Sequence, residues 1–344
     1  MSPLPSNEHL PIGNLVACFN NTTATYKFYW LLSILGQVER GNTLISKKEL
    51  FAGLIGHAWY TVNYFHVSFG KQDLIQDTIR KINSLETITI DENLDSVCQK
   101  LILTKNTETR RLLRHFDKNV PHWFLSPWFP RMRRAEIYNT SKKFSENCLY
   151  AIHEEKIEIN PAWKNYLVSN ARVLKDFCFW NLSLYLQSKN PNVPDIPNKI
   201  IKPARRNSLT QQRTNFWDLV VNDLGYVKCI YTDNILTIGN YAVEHFIPHN
   251  FVSHDLIWNL IPADKLFNST KSDKLPPIEI YFDKFFKLQE SAINIVSKKY
   301  PNNKFLQDYL TIFQDLSEIT HDRFKERIQP LITIASNNGF EFFI

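Results

Sequence analysis

The sequence predicts a mostly α-helical protein with a small β-containing region, which makes it an α+β protein overall. Apolar residues recur at helical spacing through most of the N-terminal half. Two short apolar runs separated by turn residues, at 226–231 and 241–243, predict strands in the second half. Helical patterns return after residue 281. With 344 residues, of which 44% are hydrophobic, the chain is long enough to form two domains with packed cores.

The helices of the N-terminal half follow from the spacing of their apolar residues. The ranges 25–38 and 47–66 each carry an apolar stripe typical of core helices. Residues 148–159 alternate enough to predict a strand or a hairpin, and the pattern from 161 to 188 predicts the strongest helix of the chain. Further helices are predicted at 71–85, 92–104, 107–117, 214–222, 282–298, 304–316 and 322–336.

Changes in composition divide the chain into four parts. Residues 1–189 are predicted to form a helical body that binds nucleic acid or a partner, and 190–213 a proline-rich basic linker of partly polyproline-like conformation. Residues 214–280 are predicted to form a small core containing the strands. Residues 281–344 are predicted to form helices that pack on that core.

Composition narrows the classes of function. A net charge of +6 agrees with nucleic-acid binding and also with many ordinary enzymes. No glycine-rich phosphate-binding string is present, so any ATP-driven step would need a partner. The five cysteines are scattered and form no Cys-x-x-Cys, which favours a reducing cytoplasm over a disulfide framework. Because neither a signal peptide nor a membrane-length apolar run is found, we expect an unexported protein without a membrane partner.

Basic residues are concentrated in two stretches. Between residues 110 and 143 they alternate with aromatic residues, a pattern that suits a phosphate backbone and unpaired bases. The alternative is a proline-punctuated loop whose aromatic rings pack into the core while the arginines are solvated. The basic residues of the linker also have two interpretations. They either contact DNA or are solvated. The residues predicted to bind nucleic acid are Arg131, Arg133, Arg134, Lys202, Arg205 and Arg206.

Residues 241–276 carry the clearest chemical pattern in the chain. An apolar strand ends in Glu244-His245-x-x-Pro248, Asn259 follows a tryptophan, and Asn268 comes at the start of a polar helix. An imidazole is a suitable general base because it titrates near neutral pH, and carboxylate and amide oxygens are ligands that Mg²⁺ prefers. Adjacent strand residues point to opposite faces, so we expect a kink at Pro248 to bring the carboxylate and imidazole to one site.

A lysine completes this pattern. Lys271 is predicted to lie in the first turn of the closing helix, close to Asn268, where an ammonium group could contact a phosphate group or its transition state. The alternative is a solvated lysine. His249, His254 and Asp255, in the intervening loop, are further candidates for contacts with a phosphate, a metal ion or His245.

The order and spacing of these residues resemble the ββα-metal core of the HNH endonuclease superfamily. The resemblance covers residues 229–277 and is closest to the HNH domains of CRISPR RNA-guided nucleases and of bacterial restriction and antiphage-defence proteins. It implies that His245 is the general base, that Glu244 and Asn268 bind Mg²⁺ or Mn²⁺, and that Asn259 holds the loop.

The chain departs from the family pattern in two respects. Glu244 stands where aspartate is more frequent in the family, and the extra methylene moves the carboxylate oxygens by about a bond length. Many members also carry two Cys-x-x-Cys pairs that bind zinc. The corresponding positions here are Cys229, Thr232, Asp264 and Phe267, so we expect no structural zinc.

The resemblance implies a metal-dependent endonuclease that nicks or cleaves DNA. The layout of a helical body followed by a zinc-free core is similar to bacterial antiphage-defence effectors, for which a partner such as an ATPase or a sensor is expected. A single site cuts one strand per visit, so double-strand cleavage would call for a homodimer. The alternatives are a catalytically silent nucleic-acid-binding or scaffold subunit, and a nuclease directed at RNA, including tRNA.

Overall fold

The computed structural model describes residues 4–201 and 207–343 and divides them into two compact units. The first unit runs through Pro191 and takes in the segment that begins at Ile196. The second contains Asn192–Asp195 and the chain beyond the gap at 202–206. Helices make up 58% of the protein and the strands are few and short, which confirms the predicted fold class.

The first unit consists of eleven described helices and one three-stranded sheet. The helices are α1 (Ile12–Ala17), α2 (Tyr26–Glu39), α3 (Lys47–Asn63), α4 (Leu74–Leu85), α5 (Leu94–Leu103), α6 (Thr107–Arg114), α7 (Val120–Phe124), α8 (Arg134–Ser141), α9 (Pro161–Ser169), α10 (Ala171–Lys189) and α11 (Ile196–Lys199). Strands β1 (Leu44–Ser46), β2 (Tyr150–Ile152) and β3 (Lys156–Ile159) form an antiparallel sheet in the order β1-β3-β2.

Helices α2 and α3 form the centre of this unit and confirm the helices predicted at 25–38 and 47–66. They approach closely because Gly53 faces Ser33, where a Cβ atom on residue 53 would lie 2.7 Å from the serine Oγ. Trp30 is fully buried in α2, and its Nε1 donates to the hydroxyl of Tyr150 at 2.9 Å. This contact ties the helical core to the β2–β3 hairpin, which the alternation at 148–159 correctly predicts.

The single long helix predicted from 161 to 188 is wrong, because the structure has two helices separated at Asn170. The backbone of Asn170 leaves the helical region, with φ −110° and ψ 13°, and its side-chain amide donates to the carbonyl of Tyr166 at 2.9 Å. A short polar side chain competes in this way with the backbone ladder and ends α9. The helix then restarts as α10.

The second unit consists of seven described helices and two small sheets. The helices are α12 (Thr210–Gln212), α13 (Asp218–Leu224), α14 (His249–Val252), α15 (Lys265–Lys271), α16 (Ile278–Lys299), α17 (Leu306–Tyr309) and α18 (His321–Asn337). One antiparallel sheet pairs β4 (Val227–Lys228) with β5 (Ile235–Leu236). The other pairs β6 (Ala242–His245) with β7 (Leu260–Ala263).

Two predictions for this unit need correction. The strand predicted at 226–231 is only the two-residue β4, since the chain turns back after it through Asp233 at φ 58°. The helix predicted at 304–316 is reduced to α17 and flanking turns, and the extended Asp315 caps a separate short 3₁₀ turn. Helices α16 and α18 confirm the helical predictions at 282–298 and 322–336.

Helix α16 supports the β6–β7 hairpin from one side. Phe285 stacks on Phe246, which directly follows β6, with ring centroids 3.9 Å apart. The buried amide of Gln289 donates to the carbonyl oxygens of Ile257 and Leu260, at 3.3 Å and 2.8 Å. These contacts fix the hairpin to the longest helix of the unit.

None of the described helices combines the length and apolar character that a membrane span requires.

Candidate active site

The β6–β7 hairpin places Glu244 and His245 at the end of a short strand. Glu244 lies opposite Ile261 and His245 opposite Leu260 in the antiparallel register. The two side chains bind different partners: Glu244 bonds to Lys271, whereas His245 bonds to Asp255. This is the outcome that the strand pleat dictates for adjacent residues. The described contacts therefore do not show the joint Glu-His site that we expected from a kink at Pro248.

His245 is held by a carboxylate. Its Nε2 lies 3.0 Å from Oδ1 of Asp255, and its side chain is 8% exposed. An ionised carboxylate accepts hydrogen bonds only, so this contact assigns the proton to Nε2 and leaves Nδ1 as the ring nitrogen able to take a proton. The ring of His249 lies close by, with centroids 5.3 Å apart, and its Nε2 is 3.9 Å from the same aspartate oxygen.

Asn259 fastens the loop that follows His245. Its side-chain oxygen accepts from the backbone N–H of Ile247 at 2.8 Å, and its side-chain nitrogen donates to the carbonyl of the same residue at 2.8 Å. The backbone carbonyl of Asn259 also accepts from Phe246 N–H. Because Asn259 is fully buried, water does not compete for these bonds. The structure thus places it where the family resemblance implies a loop-holding residue.

The structure contradicts the position predicted for Lys271. Asp264 caps α15 by accepting from the N–H groups of Leu266 and Phe267, so the helix begins earlier than expected and Lys271 lies in its last turn. The ammonium group of Lys271 is buried and does not face solvent. It donates to Oε1 of Glu244 at 2.6 Å and to the carbonyl of His245 at 3.0 Å.

Asn268 lies in the middle of α15, and does not open it. It precedes Lys271 by three residues and so shares a helix face with it. Its side chain is half-buried and makes no hydrogen bond within the described ranges. The amide oxygen of Asn268 is therefore available as a ligand.

The hydroxyl of Tyr231 bears on whether a cation can bind near Glu244. It is buried and has no hydrogen-bond partner among residues 4–201 and 207–343. Burial raises the pKa of Tyr231 well above its usual value, and the negative charge of Glu244 adds to the shift. This oxygen, Glu244 and Asn268 are the hard donors that a divalent ion prefers. The chemistry of these donors suits such an ion, although no group of three His, Cys, Asp or Glu residues suited to a metal occurs in the described part of the chain.

The positions that correspond to zinc ligands in the family are joined by other contacts. Asp264 N–H donates to Sγ of Cys229 at 3.4 Å, and its carboxylate accepts from the side chain of Asn234 at 3.1 Å. Tyr231 stacks on Phe267 with centroids 4.6 Å apart. Hydrogen bonds and ring packing thus connect these segments.

An open cleft of about 630 Å³ lies beside Asp255, the residue that holds His245. Its walls include His249, His254 and Asp255 from the loop, together with Gln211 and Asp308 from neighbouring segments. Asp308 accepts from Ile257 N–H at 2.8 Å, and burial raises the pKa of its carboxyl group. Asp255, the hydrogen-bond partner of His245, therefore faces a space large enough for part of a substrate.

The basic residues predicted to bind nucleic acid have different outcomes. Arg131, Arg133 and Arg134 are exposed in the first unit, and Arg134 lies 3.8 Å from Asp117. Among the aromatic rings of that stretch, Phe124, Trp128 and Phe129 are buried and only Trp123 is largely exposed, at 55%. The packing favours the core interpretation for most of the rings. Lys202, Arg205 and Arg206 lie outside the described residues.

Three residues near the site were not found from the sequence. Gln289 and Asp308 hold the backbone around β7 from sites 29 and 51 residues away along the chain. No local pattern distinguishes them from surface residues of an amphipathic helix or turn. The cap at Asp264 did carry a signal, because aspartate directly before a helical run is a frequent N-cap.

Comparison with known proteins gives one match. Residues 228–277 match the family model described as HNH endonuclease. This range runs from the last residue of β4 through α15 to the residues just beyond, and it includes both strands of the β6–β7 hairpin. No curated protein and no solved structure matches the chain significantly.

Proposed function

Because residues 228–277 belong to the HNH superfamily, we propose that this chain is a metal-dependent endonuclease that hydrolyses phosphodiester bonds of DNA. The family match supports nuclease activity in general. The choice of DNA, the use of a metal ion and the roles of individual residues are our proposal.

The observation that supports this proposal most directly is the environment of His245. Its Nε2 is bonded to Asp255, which lines the cleft, and Nδ1 is the nitrogen that we propose to act as the base toward a water molecule. As His245 takes the proton of that water, the neighbouring carboxylate stabilises the imidazolium that forms. Asn259 keeps the backbone after His245 in place by its two bonds to Ile247.

Glu244 and Asn268 are the residues that we propose to hold the metal ion. A bound Mg²⁺ or Mn²⁺ would neutralise the negative charge that develops on the phosphate. The amide of Asn268 and the carboxylate of Glu244 supply oxygen ligands of the type that both ions accept.

The proposal extends to binding and biological role. A net charge of +6 and the exposed Arg131, Arg133 and Arg134 suit a polyanionic substrate. An effector role in antiphage defence, with a partner ATPase or sensor, and a homodimer for double-strand cleavage rest on the similarity of domain layout described above. Phage plating on cells that express the active and inactive chain tests the defence role.

One contact favours a second candidate, a catalytically silent nucleic-acid-binding subunit. The ammonium of Lys271 already neutralises Glu244, which is the carboxylate needed for a metal ion. If this contact persists during binding, the core docks nucleic acid without cutting it. Dependence of cleavage on added metal separates the two candidates.

The deciding experiment is an assay on supercoiled plasmid with Mg²⁺, Mn²⁺ or EDTA. We expect metal-dependent nicking or linearisation, reduced roughly 10²–10⁴-fold in His245→Ala because a general base is lost. His9→Ala, an exposed histidine of the first unit, is the matched control and should cut like the wild type. No cutting with any metal favours the silent subunit, and preferential cutting of RNA in competition favours an RNA-directed nuclease.

A further inference from the structure

The contact between Lys271 and Glu244 is enclosed by protein. The lysine side chain is 0% exposed and the glutamate side chain 8%, and the ammonium lies 2.6 Å from the carboxylate Oε1. A buried charge is stable only when it is paired and hydrogen-bonded. Lys271 meets this need for Glu244, and Glu244 with the carbonyl of His245 meets it for Lys271.

The same carboxylate is the one acidic ligand in the proposed metal site. A divalent ion and an ammonium group compete for it, because both are cations and their mutual repulsion is strong where water is largely excluded. We propose that Lys271 is a latch that holds Glu244 in a metal-free state, and that a divalent ion binds Glu244 by displacing this ammonium group. The inference rests on the proposed function, since it assumes that Glu244 is a metal ligand.

The backbone next to Lys271 has a conformation that agrees with a change in the position of this lysine. Ser272, which follows it directly, has φ 51° and ψ −120°, a conformation that costs a non-glycine residue energy. Beyond it, Leu275 forms backbone bonds with Glu341 and Phe343. The strained residue thus lies between the latch and a fixed point, where a change in its backbone angles would carry Lys271 away from Glu244.

The latch also joins the metal ligand to the general base. Lys271 donates to the carbonyl of His245 as well as to the side chain of Glu244. Displacement of Lys271 would free the Glu244 carboxylate and the His245 carbonyl at the same time. Metal entry would therefore alter the strand that carries His245.

Direct measurement of Mn²⁺ binding tests the latch without using cleavage. Calorimetry or electron paramagnetic resonance on nucleic-acid-free protein compares the wild type with Lys271→Gln, Glu244→Gln and the double variant. We expect Lys271→Gln to bind Mn²⁺ about tenfold or more tightly than the wild type, as expected for loss of a close charged competitor. Glu244→Gln and the double variant should bind weakly. Lys271→Arg, which keeps the charge, should show no gain.

Thermal unfolding gives a second readout. Lys271→Gln leaves a buried carboxylate without its counter-charge and should unfold at a lower temperature, whereas the double variant removes both charges and should be less affected. Saturating Mn²⁺ should raise the midpoint more in Lys271→Gln than in the wild type. If Lys271→Gln is unfolded without metal, refolding on addition of Mn²⁺ supports the latch, and an unfolded state that persists in saturating Mn²⁺ overturns it.

The latch and the nuclease can fail separately. A wild type that cuts plasmid, together with a Lys271→Gln variant that binds Mn²⁺ no more tightly, overturns the latch and leaves the nuclease intact. If Lys271→Gln binds Mn²⁺ more tightly but the wild type cuts no plasmid with any metal, the latch is supported and the proposed nuclease function is overturned.

Discussion

At the scale of single residues, the two adjacent side chains of the site have opposite electrostatic partners. Glu244 is paired with the ammonium of Lys271, and His245 with the carboxylate of Asp255. The ammonium neutralises the carboxylate that would bind a cation, while the carboxylate of Asp255 fixes the orientation of the imidazole that would accept a proton. The side chain of His245 is thus ready for its proposed role, whereas that of Glu244 is not.

Replacement of Asp255 by Asn tests the first of these pairs. Asparagine removes the negative charge that holds and stabilises the imidazole, so we expect kcat to fall by up to about 10⁴-fold, the loss seen when the carboxylate that orients a general-base histidine becomes an amide. KM and Mn²⁺ affinity should stay unchanged, because Asp255 is proposed to act through His245 and not as a metal ligand. Plasmid-nicking kinetics and calorimetry provide these values.

Asp233→Asn is the matched control for this change. Asp233 is an exposed carboxylate that pairs with Lys284, and its replacement should leave kcat unaltered. If Asp255→Asn binds Mn²⁺ more weakly, or cuts at the wild-type rate, Asp255 does not act through His245.

At the scale of secondary-structure elements, the site depends on how a hairpin and one helix are held. The sequence correctly predicts a strand ending near Glu244, because an apolar run ends there in polar residues. It does not predict that β6 pairs with β7, since the loop between them brings together strands that are distant along the chain. Lys271 was misplaced for a related reason: the start of α15 depends on a cap at Asp264.

Local and long-range contacts explain why other predictions succeeded or failed. Helices α2 and α3 were predictable because their apolar faces repeat along the sequence. The break at Asn170 was not, because a single side-chain bond to the preceding turn decides it. The contact between Lys271 and Glu244 spans 27 residues, and nothing in the local sequence specifies it.

Replacement of Asn259 by Ala tests the hold on the loop after β6. The change leaves the buried N–H and carbonyl of Ile247 without partners, and each such group costs about 1–3 kcal/mol. We expect the free energy of unfolding of the second unit to fall by about 2–5 kcal/mol, measured by urea denaturation. Asn302→Ala, at an exposed asparagine, should change it by less than about 0.5 kcal/mol. Equal stability of the two variants would contradict the role of Asn259.

At the scale of the whole molecule, the two units have separate hydrophobic cores. Trp30, Leu54 and Trp59 are buried in the first, and Phe285 and Ile328 in the second. The elements that carry the proposed active site all lie in the second unit. The proposed nuclease chemistry is therefore confined to the second unit.

Separate cores predict separate unfolding transitions in calorimetry. Leu54→Ala in α3 and Ile328→Ala in α18 each remove a fully buried side chain, which costs about 2–5 kcal/mol. For units of this size, such a loss lowers the melting temperature by roughly 5–15 °C. We expect Leu54→Ala to move one transition and Ile328→Ala the other, with Mn²⁺ affecting only the transition that Ile328→Ala shifts. A single transition that both variants lower equally would show that the body and the nuclease unit unfold as one cooperative structure, and the assignment of separate roles to them would lose its thermodynamic basis.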